Sequence, residues 1–159
     1  MPQSRLNRAD SRRASAPSNR RFRILIVCQG NTCRSPMAEA IARRLLGMKA
    51  QVQSAGLDAA DGLPATRQAV TAMEELGFDI KDHRSRSLEN LDLSSFDRII
   101  AMTPEIAASL REAGVSPRRM TPLDVPDPYS GGLDTYRSTA QDIERQLRSR
   151  LHLRRVHAN

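Results

Sequence analysis

Short apolar runs alternate along this chain with longer stretches in which apolar residues recur every three or four positions. Phe22–Val27 (FRILIV) is a continuous apolar run, the pattern of a strand buried on both faces. Ser35 and Pro36 then read as the cap and first residue of a helix carrying Met37, Ile41, Leu45 and Leu46 on one face, stopped by Gly47. Gln51–Ser54 is a short second strand, followed by a glycine-containing loop from Ala55 to Leu63. Pro64 opens a second helix with Ala69, Val70, Met73 and Leu76 on one face and Gly77 as its stop. Asp97–Met102 is a third strand, Thr103-Pro104 caps a third helix closed by Gly114, and Met120–Val125 is a fourth strand interrupted by Pro122. From Thr135, the spacing of Tyr136, Ala140, Ile143, Leu147 and Leu151 predicts a final amphipathic helix.

Four strands alternating with helices predict an α/β fold, a three-layer sandwich on a four-stranded parallel sheet. Ligands in such folds bind at the carboxyl ends of the strands. The loop after strand one (Cys28–Arg34) and the loop after strand four (Val125–Gly132, VPDPYSGG) are expected to meet there.

Composition narrows this picture. At 159 residues and 39% hydrophobic content, the chain supports one domain, expected over residues 22–153. The net charge of +7 first suggests a nucleic-acid partner, but the charge sits at the ends. Residues 1–21 hold six arginines against Asp10, residues 144–159 hold five against Glu144, and the segment between carries more acidic than basic side chains. Residues 1–21 are expected to be a disordered basic extension, because they have too few apolar side chains to offset their ordering entropy. They lack the apolar core of a secretory signal, and Asp10 and weak amphipathicity argue against a transit peptide. Residues 154–159 are expected to be a basic tail. No run approaches the ~20 apolar residues of a membrane span. Two cysteines without an export signal point to a reducing, cytoplasmic setting.

Both cysteines fall within eight residues, in CQGNTCRS, between a buried strand and a helix. Such a loop turns backbone N–H groups inward beside the positive end of a helix dipole, which makes an anion cradle. Arg34 adds a planar fork suited to two phosphate oxygens. A free thiol with a pKa near 8.5 is only about 3% ionised at pH 7. Holding a thiolate there by moving that value to roughly 5 takes about 5 kcal/mol, which several N–H groups, a guanidinium and the Ser35 hydroxyl together can supply. Asn31 after Gly30 suits a left-handed backbone. A carboxylic acid on the facing loop could protonate a leaving group; Asp124, Asp127 and Asp134 all qualify by position.

CQGNTCRSPMAEA, with DPY downstream, resembles the low-molecular-weight protein phosphatases, whose loop reads C-x-G-N-x-C-R-S. The likeness runs from Phe22 to about Leu153 and includes the S-A-G turn at Ser54–Gly56 and HRSRSL at His83–Leu88. The resemblance implies a flavodoxin-like topology, Cys28 as a nucleophile forming a phosphocysteine, Arg34 as the phosphoryl clamp, and Asp127 as acid and then base. Gln29, Gly30, Asn31, Thr32, Cys33 and Ser35 would complete the phosphate-binding loop. Ser54 and His83 would hydrogen-bond Asn31, and Tyr129 would wall the cleft. Ser130 departs from the second aromatic common in the family. Neither metal nor cofactor is expected, and the implied partners are phosphorylated proteins, with phosphate and other oxyanions as competitors. Phosphotyrosine is the leading substrate. Thr32, which the arginine-directed branch shares, makes phosphoarginine the alternative.

Other readings are weaker. Arsenate reduction needs relay cysteines, and none follows Cys33. A zinc site from Cys28, Cys33 and His83 lacks a fourth ligand and short cysteine spacing. A passive phosphate-binding module has no use for a nucleophile and an acid. Cys33 is either inert or the partner of Cys28 in a reversible disulfide.

Overall fold

The structure, a computed structural model, describes residues 20–152, so most of the expected basic extension and the C-terminal tail lie outside the described residues. Strand β1 (Phe22–Cys28) pairs in parallel with β2 (Ala50–Gly56) along its whole length, from Phe22 opposite Ala50 to Cys28 opposite Gly56. On its other side β1 pairs with β3 (Arg98–Ala101), which in turn pairs with β4 (Met120–Pro122). The strand order β2-β1-β3-β4 is a parallel, flavodoxin-like sheet, as expected. Ile24, Leu25, Ile26 and Val27 are all buried because β1 is central and covered on both faces.

Helices α1 (Arg34–Leu46), α2 (Arg67–Glu75), α3 (Pro104–Glu112) and α4 (Leu133–Arg150) connect and cover the sheet. Helix α4 packs against α1 and α2 through buried Tyr136, Ala140, Ile143 and Leu147, the stripe visible in the sequence. The Thr103 cap on α3 is as read: its hydroxyl accepts from the Ile106 N–H at 3.2 Å.

Among the boundaries that differ from the sequence reading, three have a clear local reason. Helix α2 starts at Arg67, capped by Thr66, whose hydroxyl accepts from the Ala69 N–H, and not at Pro64. Its packing face uses Ala69, Ala72 and Met73, while Leu76 lies beyond the helix and is 42% exposed. Strand β4 ends at Pro122, which has no N–H to continue a ladder and is tolerated because β4 is the sheet edge. Helix α1 begins at Arg34 with Cys33 at the cap position and no side-chain cap, so Ser35 lies inside the helix. Its hydroxyl has a different task, described below. Among the described residues no helix is long and apolar enough to cross a membrane.

Candidate active site

The segment Cys28–Arg34 links the end of β1 to the start of α1 at the carboxyl edge of the sheet. Its carbonyls are bonded to surrounding segments. Cys28 O accepts from Leu57 N at 3.0 Å, Gln29 O from Asp58 N at 3.0 Å and Thr32 O from Thr66 N at 2.9 Å. Asn31 O meets His83 Nε2 at 2.7 Å. In a planar trans peptide the next N–H points the opposite way, so the amides of Gln29, Gly30, Thr32 and Cys33 turn toward the loop interior. The N-terminus of α1 adds its partial positive charge at the same place. The result is a cradle for an oxyanion.

Cys28 is 1% exposed within this cradle. Its Sγ accepts from the Asn31 N–H at 3.3 Å and lies 2.8 Å from Ser35 Oγ. Asn31 Nδ2 also donates to Ser35 Oγ at 2.7 Å, and toward a thiolate at Cys28 the serine hydroxyl is the donor of the second contact.

Asn31 is the hub. It is fully buried at φ 57°, the left-handed conformation that asparagine tolerates better than most residues. Besides Ser35, its Nδ2 donates to Ser54 Oγ at 3.0 Å, and its Oδ1 accepts from Arg86 N at 3.0 Å. Ser54 and His83 therefore both bond Asn31, one at the side chain and one at the main chain. Arg86 also ties the brace to β2, donating from Nε to Ser54 O at 2.9 Å. Gly56 ends β2 against the loop; a Cβ there would lie 2.6 Å from Gln29 O and 2.8 Å from the Ala59 Cβ.

The second loop supplies the other charged groups. The Arg34 side chain is buried, and its Nη1 donates to Val125 O at 3.1 Å. Its Nε is buried without a partner in the protein, the geometry expected of a donor reserved for a ligand. Asp127 lies with Oδ2 3.8 Å from Arg34 Nη2 and Oδ1 3.9 Å from Cys33 Sγ. An Asx turn, in which Tyr129 N donates to Asp127 Oδ1 at 2.9 Å, holds the carboxylate. Asp127 thus approaches the Cys28 loop through Arg34 and Cys33; the main chain of Asp124 instead exchanges hydrogen bonds with the Gln146 side-chain amide, and Asp134 pairs with Arg137. Tyr129 is 73% exposed beside Asp127, and Ser130 follows at φ 66°.

Cys33 is buried, and that burial, reinforced by neighbouring Cys28, pushes its thiol up to about 11. Both cysteines are free, and a neutral Cys33 is the less reactive form for disulfide exchange. Among the described residues no cluster of three or more His, Cys, Asp or Glu is arranged to hold a metal ion.

Several supports were not legible in the sequence. Thr66 anchors the Thr32 carbonyl through its main-chain N–H, and its hydroxyl caps α2. The Val125 carbonyl, which orients Arg34, carries no residue-type signal at all. Gly56 had a signal, an isolated glycine at a strand end, which marks close backbone approach.

Comparisons with known proteins agree with this geometry. The family model described as low molecular weight phosphotyrosine protein phosphatase matches residues 23–159. The chain is 35% identical over 133 residues to a probable low molecular weight protein-tyrosine-phosphatase, EpsP, of Ralstonia nicotianae, covering 77% of this chain and 88% of that protein. It is 36% identical over 140 residues to a protein-arginine-phosphatase of Bacillus subtilis, covering 79% and 91%. The crystal structure of a low molecular weight protein tyrosine phosphatase from T. tengcongensis superposes with a TM-score of 0.74 at 36% identity, covering 82% of this chain and 97% of that one. A loop with its amides turned inward around a buried cysteine, and a sequence that matches from β1 to the last residue, lead to one conclusion: the chain belongs to the low molecular weight phosphotyrosine protein phosphatase family.

Proposed function

We propose that residues 22–153 form a protein phosphatase that hydrolyses phosphotyrosine through a phosphocysteine. The observation that carries this reading is the sulfur of Cys28, which accepts from Asn31 N–H and faces the Ser35 hydroxyl at the floor of the cradle. The unpartnered Nε of Arg34 supports it as a donor for a phosphoryl oxygen. In the first step the Cys28 thiolate attacks phosphorus in line. An S–P bond forms, the P–O bond to the tyrosine breaks, and protonated Asp127 gives its proton to the departing phenolic oxygen. In the second step the Asp127 carboxylate takes a proton from water, whose oxygen attacks phosphorus. The S–P bond breaks, inorganic phosphate leaves, and the thiolate is restored. Arg34 and the inward amides hold the equatorial oxygens throughout.

These steps use only side chains and backbone, so no cofactor is invoked. Phosphate and other oxyanions are expected competitors, and phosphorylated proteins the partners. A nucleophilic thiol fits a reducing compartment, the cytoplasm. Turnover of a phosphotyrosine peptide, lost in Cys28→Ala and in Arg34→Lys, tests the reading; activity surviving Cys28→Ala sinks it.

One observation favours a second substrate. Thr32 gives the phosphate-binding loop a hydroxyl, which suits phosphoarginine's polar guanidinium leaving group better than an aliphatic side chain would, and a protein-arginine-phosphatase is among the 36%-identical relatives. Comparing kcat/KM on phosphotyrosine and phosphoarginine peptides before and after Thr32→Ile separates the two. If Thr32 selects, the change shifts the ratio toward phosphotyrosine.

A further inference from the structure

The segments that anchor the loop carbonyls also bring two charged residues beside the cradle. Asp58 donates its own N–H to Gln29 O at 3.0 Å, and Arg67 follows directly on Thr66, which donates to Thr32 O at 2.9 Å. Consecutive Cα atoms are 3.8 Å apart, so both residues stand within one residue of a loop-anchoring hydrogen bond, at two different points of the loop's perimeter. Both residues are exposed, and among the described residues neither the Asp58 carboxylate nor the Arg67 guanidinium has an ion-pair or hydrogen-bond partner. Nearby charges behave otherwise: Asp61 accepts from Ser87 N and Asn90 Nδ2, and Arg137 bridges Glu75 and Asp134. Arg67 is also the first residue of α2, where a cation opposes the helix dipole and the first turn holds no acidic side chain to offset it. Helix stability gives no reason for an arginine at that position; a ligand at the rim does.

We propose that Asp58 and Arg67 form a polar clamp on the polypeptide flanking the phosphorylated residue, with an acidic side chain on one flank bonding Arg67 and a basic one on the other bonding Asp58. The inference rests on the phosphatase reading and gives it a substrate class: segments of opposite charge on the two sides of the phosphorylated residue. Residues of an extended peptide advance about 3.3–3.6 Å each, so side chains one or two positions from the phosphotyrosine reach groups at the rim of the loop. Because the clamp is solvent-exposed, it acts mainly on binding, and salt weakens it.

The test uses two phosphotyrosine heptapeptides of identical composition. One carries two Glu before and two Lys after the phosphotyrosine, and the other has them reversed. Wild type is expected to prefer one orientation by about three- to tenfold in kcat/KM at low salt, with the difference in KM and not kcat. The preference shrinks as ionic strength rises, and inverts in the double charge swap Asp58→Arg with Arg67→Asp. Equal kcat/KM for the two peptides in wild type, or a preference that keeps its sign in the swap, overturns the clamp. p-Nitrophenyl phosphate, which has no flanks, separates this failure from the larger one. Turnover of it beside equal peptides removes the clamp alone, whereas no turnover by reduced wild type removes the phosphatase reading and the clamp with it.

Discussion

The hydroxyl of Ser35 lies 2.8 Å from the sulfur of Cys28 while accepting the side-chain amide of Asn31 at 2.7 Å. When Cys28 is a thiolate, which has no proton to give, the hydroxyl donates to sulfur. The group matters most when sulfur leaves phosphorus as an anion, so Ser35→Ala is expected to slow phosphocysteine breakdown more than its formation. A loss of about 10²-fold in kcat is expected from removing one such donor. Rapid-quench kinetics would then show, after the burst of released phenol, a slower steady state than wild type gives. An unchanged kcat would mean that the hydroxyl does not stabilise the sulfur.

Asn31 combines a positive φ with side-chain bonds to Ser35, Ser54 and Arg86. Asn31→Ala and Asn31→Gly remove the same bonds, but only glycine accepts φ 57° without strain. Both variants are expected to lose most activity, with the alanine variant less stable than the glycine one by about 1 kcal/mol. Denaturant midpoints measure the difference. Equal stabilities would show that the loop relaxes out of the left-handed conformation once its amide is gone.

Gly56→Ala is expected to damage the site without touching any charged group. The new methyl would meet Gln29 O at 2.6 Å, and backbone has little room to yield. Overpacking of this kind costs about 1–3 kcal/mol. The displaced Gln29 carbonyl should also weaken binding of inorganic phosphate, measured by calorimetry. A variant that binds phosphate as wild type does would show that β2, and not the loop, absorbs the methyl.

The Cys33 thiol gives a pH prediction. Its folded-state value is raised from 9.0 to about 11, chiefly by burial, so the folded protein retains a proton that the unfolded chain loses. The resulting stability is fully present below pH 9 and is lost as pH rises toward 11 and above. Over that window wild type should lose on the order of 2–3 kcal/mol more than Cys33→Ala, from denaturant titrations at each pH. Parallel stability curves for the two proteins would contradict the shift. At pH 7, iodoacetamide should label Cys28 and leave Cys33 unmodified, readable by peptide mass.

How far the sequence could be read depended on whether a signal was local. FRILIV announces a central strand because burial on both faces demands an unbroken apolar run, and Tyr136–Leu147 announces α4 because one face must be apolar. Cys28, Arg34 and Asn31 were legible since their chemistry lies within one short loop. Ser35 was misread as a cap: Ser before Pro is a good helix start, but the Cys28 sulfur and Asn31 amide claim its hydroxyl. The start of α2 was placed at Pro64 in place of Thr66 because either residue type can begin a helix. Val125 and Thr66 act through backbone atoms, which every residue carries, so no pattern of side chains could reveal them.

The anchors of the phosphate cradle come from residues 57–58, 66, 83 and 86, scattered through the second third of the chain. A loop so dependent on distant segments has no existence in a half-folded chain. Oxyanion affinity is therefore a property of the completed domain, and a tenfold excess of phosphate over its Kd should raise the stability of the entire domain by about 1.4 kcal/mol. Newly made chains would acquire the capacity to hold phosphate all at once, as the last segment closes.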